Sequence, residues 1–299
     1  MGGIIAAIPG ATAQGLVWGV MALGVYVTYK LLDIADLTVD SSLCTGGATS
    51  AVLILMGMHP LLSLVFAVFA GMLAGLVTGF LHTRLRIPAI LAGILTQLGL
   101  YSINLRIMGK SSVALLRQPV VISLGNIPMA LLIGVLVAAA VVAVMYWFFG
   151  TEYGCALRAT GANVNMARAQ GINTGRAKVV GLMLSNGLVA LSGALLTQYQ
   201  GYADVSMGRG AIVIGLAAVI IGEVLFGKIF RNFATKLIAV SIGAIIYYIV
   251  MQVVLWLGLP TNYLKLLTAL VVAMFLAVPH WKSQLFTARS ARKGEKQDA

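Results

Sequence analysis

Charge is what this chain of 299 residues has least of: Asp, Glu, Lys and Arg together make up 9% of it. Soluble domains carry about a quarter charged residues, so an ordinary water-facing domain is excluded. Proline is scarce as well, with 7 residues against 34 glycines spread through the apolar stretches. That balance fits membrane helices packed through small residues rather than a loop-rich soluble fold. Only two cysteines occur, Cys44 and Cys155, in separate connections. No structural disulfide is expected from them, and no spacing of zinc ligands exists, so the expected metal set is empty. The N-terminus lacks the basic region and small-residue cleavage site of a secretory signal, so the first helix is expected to stay in the mature protein.

What remains is apolar. Hydrophobic residues make up 60% of the chain and the mean hydropathy is +1.00. A membrane crossing takes about 20 mainly apolar residues, which leaves room for roughly eight to ten spans. Runs bounded by charge, Pro or Gly fall at 11–31, 44–58, 60–81, 88–107, 128–149, 178–200, 209–227, 234–257 and 262–279. The fold class is therefore all-α, a polytopic membrane protein with 8 or 9 transmembrane helices, in which residues 1–281 form one domain. The 44–58 run is short and opens on Thr45, Gly46 and Gly47, with Asp36 and Thr38 before it, which predicts a broken or re-entrant helix, with the segment Asp36 to Thr45 beside a pathway. A faint internal echo pairs that run with the one entered through Gly208 and Gly210, as in a duplicated transporter fold.

The few charges are sorted. Alternate connections carry Arg84 and Arg86; Arg158, Arg168, Arg176 and Lys178; Lys228, Arg231 and Lys236; and the tail residues Lys282, Arg289, Arg292, Lys293 and Lys296, fourteen of the 20 basic residues. The opposite connections hold Arg106, Lys110, Arg117, Arg209 and Lys265, with Lys30 unassigned. Positive loops stay in the cytoplasm, so the net charge of +12 reports orientation and attraction to lipid headgroups, not nucleic-acid binding. The polar stretch 282–299 reads as a basic cytoplasmic tail.

The most informative connection is 152–178, EYGCALRATGANVNMARAQGINTGRAK, too polar to cross the membrane. Asn163 is suited to cap a helix and Gly171 to end it in the left-handed conformation, enclosing Val164 to Gln170. Two turns do not hold by themselves in water, so the segment needs something to pack against. Val164, Met166 and Ala167 supply an apolar knob and Arg158 and Arg168 charge around it, the makeup of a docking element for a cytoplasmic protein; an ordinary interfacial loop held by headgroups is the alternative.

These residues resemble the coupling loop of ABC importer permeases of the branched-chain amino acid and ribose permease superfamily, whose pattern is G-x-A-x-R-A-x-G-x-N, then Ala, then G-I. Here that pattern is Gly154, Ala156, Arg158, Ala159, Gly161 and Asn163, then Ala167, then Gly171 and Ile172. The following stretch SNGLVALSGALLTQYQGY is similar to the family's next helix, and Asp36, Leu37, Thr38 and Val39 to its D-L-S-V-G segment, with Asp40 where glycine is usual. Within the superfamily the chain looks most like the group associated with aromatic amino acid (tryptophan or tyrosine) uptake. The resemblance implies a type II-like importer fold in which Arg158, Gly161, Asn163, Val164, Met166, Ala167, Arg168 and Gly171 form the coupling site on the ATPase. It also implies two copies of a cytoplasmic ABC ATPase, an extracytoplasmic solute-binding protein and a second permease copy, most simply in a homodimer. ATP and Mg would be bound by the partner ATPase, with no cofactor on this chain. The expected location is a bacterial cell membrane, multi-pass, with the C-terminus in the cytoplasm.

Other chemistry fails on inspection. Gly222 to Ile229 nearly matches a phosphate-binding loop, but Ile229 has no hydroxyl for Mg and an apolar span precedes it instead of a strand. His59, His82 and His280 lie at span ends, Ser192 and Ser206 lack a base, and Asp33, Asp36 and Asp40 share one connection, so no catalytic residues are assigned and the chain is read as no enzyme. Span interiors hold almost no ionisable groups, which disfavours an ion-coupled carrier and leaves it as the alternative, beside an ABC permease for a sugar or nucleoside. Candidate pathway residues are Asp36, Thr38, Thr45, Gln97, Asn104, Asn186 and Gln198; interhelical hydrogen bonding is the competing role for each.

Overall fold

The computed structural model describes residues 2–227, 229, 232–256, 266, 268–270 and 272–274. The tail 282–299, most of the expected span 262–279, and Lys228, Arg231 and Lys265 lie outside the described residues. Helix α1, Gly2–Tyr26, runs on into a π-helical turn, Val27–Leu31. An irregular segment, 32–38, leads to α2 (Val39–Leu55), then α3 (Pro60–Thr83) and α4 (Ala89–Met108). Strand β1 (Ser112–Ala114) and α5 (Ile127–Gly150) follow, and then two helices of the polar loop, α6 (Glu152–Ala162) and α7 (Val164–Ala169). The chain continues through α8 (Thr174–Gln200), β2 (Tyr202–Asp204), α9 (Ala211–Phe226) and α10 (Phe233–Trp256).

Six of these helices are long and apolar enough to cross a membrane, α1 with its π-turn, α3, α4, α5, α8 and α10, while α2 and α9 are shorter. The fold class is all-α, with one short strand pair added. β1 pairs antiparallel with β2, Val113 opposite Ala203, to make a two-stranded sheet that closes one end of the bundle. The loop 152–178 also departs from expectation, because 152–162 is helical and α8 starts at Thr174, not Lys178.

The core forms around α8, whose two sides meet α1, α2 and α3. Side-chain volume is removed where backbones must approach: a Cβ on Gly71 or Gly75 of α3 would strike the Asn186 or Leu182 carbonyl of α8, and one on Gly193 would strike that of Leu43. Close approach makes up for the weak apolar driving force between helices in lipid. Hydroxyls then tie α8 to α1, Ser185 donating to the Gly24 carbonyl at 2.7 Å and Ser192 to that of Val17 at 2.8 Å. The outer faces of α3, α4 and α5 expose Phe69, Leu73, Leu98, Leu136 and Trp147, a surface that suits hydrocarbon and not water.

Two chain directions matter for the site. α2 starts inside the bundle and runs to the sheet end, where Ala48, Ala51 and Ile54 pack on Val113, Leu115 and Ala203. α9 starts beside the first turn of α2 and runs to the opposite end, where Glu223 meets Lys30 at 3.0 Å. The described connections at that opposite end carry Arg84, Arg86, Arg158, Arg168 and Arg176, so it is the basic end, and the ion pair brings the unassigned Lys30 to it as well. The break before the second span is at 32–38, so of the expected segment Asp36 to Thr45 the first residues are unwound, while Thr45, Gly46 and Gly47 are helical. Those glycines lie within α2, where a Cβ on Gly46 would strike the Ala190 carbonyl.

Candidate functional site

At the basic end, the 152–173 connection is a compact structure. Thr151 caps α6 by accepting from the Gly154 amide at 3.4 Å, and Leu157 is fully buried against α8. Asn163 both ends α6 and starts α7: its amide donates to the Ala159 carbonyl at 3.0 Å, and its side-chain oxygen accepts from the amides of Asn165 and Met166, each at 3.0 Å. Gly171 takes φ +80° and donates to the Arg168 carbonyl, while Ile172 donates to that of Ala167. Positive φ at this stop favours glycine over any residue with a Cβ. Asn173 then caps α8 by accepting from the Arg176 amide at 3.0 Å, so no free turn separates α7 from the long helix. Asn163 and Gly171 thus sit where the sequence reading put them.

The remaining coupling-site residues differ in what they face. Ala167 is 3% exposed, buried against its own chain, so its small side chain accommodates the loop's packing instead of facing a partner. Met166, 66% exposed, is the apolar side chain α7 presents outward, with Val164 half-buried beside it. Gly161 is small because the Leu31 carbonyl oxygen occupies the place of its Cβ. Arg158 points away from α7, its guanidinium 5.5 Å from the centre of the Phe233 ring on α10. Arg168 is exposed and donates from Nε to the Thr174 hydroxyl at 3.1 Å.

The contact of Gly161 with Leu31 connects the loop to the break. Leu31 closes the π-turn, and next to it the Leu32 side chain lies against Gly181 and Leu157. Asp33 follows at φ +54°, a conformation few residues with a Cβ adopt, and the chain then turns back into the bundle. There the Asp36 carboxylate is 2% exposed and accepts from the Thr38 amide at 2.9 Å and from the Asn186 side-chain amide at 2.7 Å. Asn186, near the middle of α8, also donates to the Leu182 carbonyl and accepts from the Ser42 hydroxyl at 2.6 Å. Thr38 shares a hydrogen bond with Thr78 at 2.7 Å, and Thr78 donates to Thr96 at 3.0 Å. Polar side chains from α2, α3, α4 and α8 therefore hold an unwound segment at mid-bundle, where free backbone polar groups are costly.

Of the seven pathway candidates, Asp36, Thr38 and Asn186 come together in this network, and Asn104 reaches its edge through the Ser41 carbonyl at 3.5 Å. Gln97 is half-buried on α4, and its carbonyl accepts from Ser41. Thr45 is spent within α2 on the Ser41 carbonyl. Gln198 lies apart at the sheet end, binding the Val121 amide, Ser50, Ser63 and the Pro60 carbonyl. All but Gln97 are buried, and the side-chain oxygen of Asn104 has no hydrogen-bond partner among the described residues. Sequence reasoning missed Asp40, whose carboxylate accepts from the amides of Gly210 at 3.0 Å and Ile212 at 2.9 Å and so caps α9 from α2. Its one signal was the unusual residue after Val39.

Comparison with known proteins adds independent weight. A family profile described as branched-chain amino acid transport system / permease component matches residues 8–278. The chain is 40% identical over 277 residues to a tyrosine transport system permease protein of Clostridioides difficile (strain R20291), covering 93% of this chain and 91% of that one. It is 33% identical over 269 residues to the protein RP368 of Rickettsia prowazekii (strain Madrid E), covering 89% and 95%. An autoinducer 2 import system permease protein LsrC of Yersinia pseudotuberculosis serotype O:1b is 30% identical over 220 residues, 70% of this chain and 59% of that one. No solved structure is a significant match.

Proposed function

The chain belongs to the branched-chain amino acid transport permease family, a transport family and not an enzyme family, and from that premise we propose that it is the membrane subunit of an ATP-driven importer. In this reading the basic end faces the cytoplasm, as positive loops do, together with the C-terminus. Two cytoplasmic ATPases hydrolyse ATP with Mg, an extracytoplasmic binding protein delivers solute, and two copies of this chain form the pathway. The similarity to a tyrosine transport permease supports an amino acid, and an aromatic one, as the solute. The near-absence of ionisable groups within the spans favours a neutral or zwitterionic solute.

The observation that carries the reading is the seat of the loop on the broken span. α7 offers Met166 at the surface, α6 is joined to α7 through Asn163, and Gly161 of α6 rests on Leu31 at the turn into 32–38. Closure of an ATPase dimer gripping α7 then displaces α6, and α6 moves the π-turn and the segment held by Asp36 and Asn186. A closely packed contact passes such a shift on as a discrete rearrangement. Purification from native membranes tests this: a stoichiometric ATPase should copurify, and reconstituted complex with binding protein should take up labelled tyrosine only with ATP. Uptake by the lone chain driven by an ion gradient would replace the importer with a carrier.

A further inference from the structure

We propose that the cleft between α5, α6 and α10 at the basic end binds the phosphate headgroup of an anionic phospholipid, with Arg158 as the phosphate ligand. The cleft is lined by Tyr146, Trp147, Phe149, Gly150, Thr151, Arg158 and Phe233 and encloses about 490 Å³. Arg158, the cation among its described lining residues, is held in an unusual way. The Arg158 guanidinium lies over the Phe233 ring, and one outer nitrogen donates to the Cys155 sulfur at 3.3 Å. Its Nε is buried with no hydrogen-bond partner among the described residues. Lys30 with Glu223 is the one ion pair among the described residues, and no carboxylate there lies within reach of Arg158. The buried Nε is out of reach of a ligand, but the outer guanidinium nitrogens carry donors beyond the one spent on Cys155, and such a planar fork fits phosphate oxygens.

The surroundings favour a lipid over a soluble anion. Trp147 is 71% exposed and Tyr146 is exposed beside it, on the last turn of a helix whose outer face is apolar. Aromatic side chains at a helix end match the headgroup level of a bilayer. Lys236 is exposed one turn along α10 from Phe233, on the same face, and a lysine there reaches back to headgroups along its own stem. The cleft thus offers Arg158 for a phosphodiester, with Lys236 beyond its lining as a second cation, and an aromatic wall that continues into the hydrocarbon-facing surface of α5. Because Arg158 is on α6, a bound lipid would brace the same helix that rests on Leu31, making coupling sensitive to lipid composition.

The test uses the full-length protein and two defined lipids, dioleoyl phosphatidylglycerol and dioleoyl phosphatidylcholine. Native mass spectrometry should show phosphatidylglycerol retained in preference to phosphatidylcholine, with retention about tenfold weaker in Arg158→Gln, the loss expected for one charge-assisted hydrogen bond. Equal retention by Arg158→Gln and the parent protein would overturn the proposal. So would complete displacement of the lipid by millimolar inorganic phosphate, which would identify a soluble-anion site instead. Should Arg158→Gln not fold, a photoreactive phosphatidylglycerol labelled near its headgroup decides on the parent protein: crosslinks in peptides spanning 146–158 or 232–236 support the site, and crosslinks confined elsewhere overturn it.

Discussion

The carboxylate of Asp40, in the first turn of α2, accepts a hydrogen bond from the amide of Ile212, in the first turn of α9, at 2.9 Å. The two short helices therefore begin at one point inside the bundle and run to opposite ends. Asp40 supplies α9 with the N-cap that its own sequence lacks, since Gly210 has no side chain to offer. Removing it with Asp40→Ala should lower stability by about 1–2 kcal/mol, the cost of a lost cap. Thermal unfolding in detergent checks this, and Asp40→Asn, which keeps an acceptor oxygen, should recover part of the loss.

Gly161 has no room for a methyl group against the Leu31 carbonyl. Gly161→Val should therefore push α6 off the π-turn while leaving the spans inserted, and change coupling on the order of 5- to 150-fold. Solute-stimulated ATP hydrolysis by the reconstituted complex is the measurement. Normal stimulation in that variant would remove the contact from the coupling route.

Met166 and Ala167 should separate docking from folding. Met166→Glu changes an exposed side chain, so the protein should keep its unfolding temperature and copurify with less ATPase. Ala167→Trp overfills a buried position and should destabilise the chain by about 1–3 kcal/mol, with any loss of ATPase following from that. Equal ATPase recovery with Met166→Glu would take α7 out of the docking surface.

Asn186 satisfies one Asp36 oxygen and anchors Ser42. Asn186→Leu leaves a buried carboxylate oxygen and a hydroxyl without partners, at about 1–3 kcal/mol for each unsatisfied group. Unfolding should shift accordingly, and uptake should fall with it. Wild-type stability in Asn186→Leu would mean that the segment 32–38 is held by Thr38, Thr78 and Thr96 alone.

Orientation has a direct check. A cysteine at position 168, in a chain whose Cys44 and Cys155 are replaced, should resist a membrane-impermeant maleimide added to intact cells. A cysteine between Lys110 and Pro119 should react. Labelling of residue 168 from outside would invert the assignment of the basic end.

Composition and local patterning were enough to determine the membrane class, the sorting of basic residues to one end, and the caps at Asn163 and Gly171. Each follows from short-range rules: an apolar run is costly in water wherever it packs, and a cap acts on amides two or three residues away. The tertiary structure alone decided that Ala167 turns inward while Met166 faces out, that the break lies at Asp33 to Thr38, and that Gly46 and Gly161 are small because of other helices. The two glycines depend on partners more than a hundred residues away, Ala190 for Gly46 and Leu31 for Gly161. Asp40 is the clearest case, because a carboxylate near the start of one helix is an ordinary feature in sequence. Only the fold brings it to the N-terminus of α9, 170 residues on, where its charge and two acceptor oxygens meet backbone amides that nothing local satisfies.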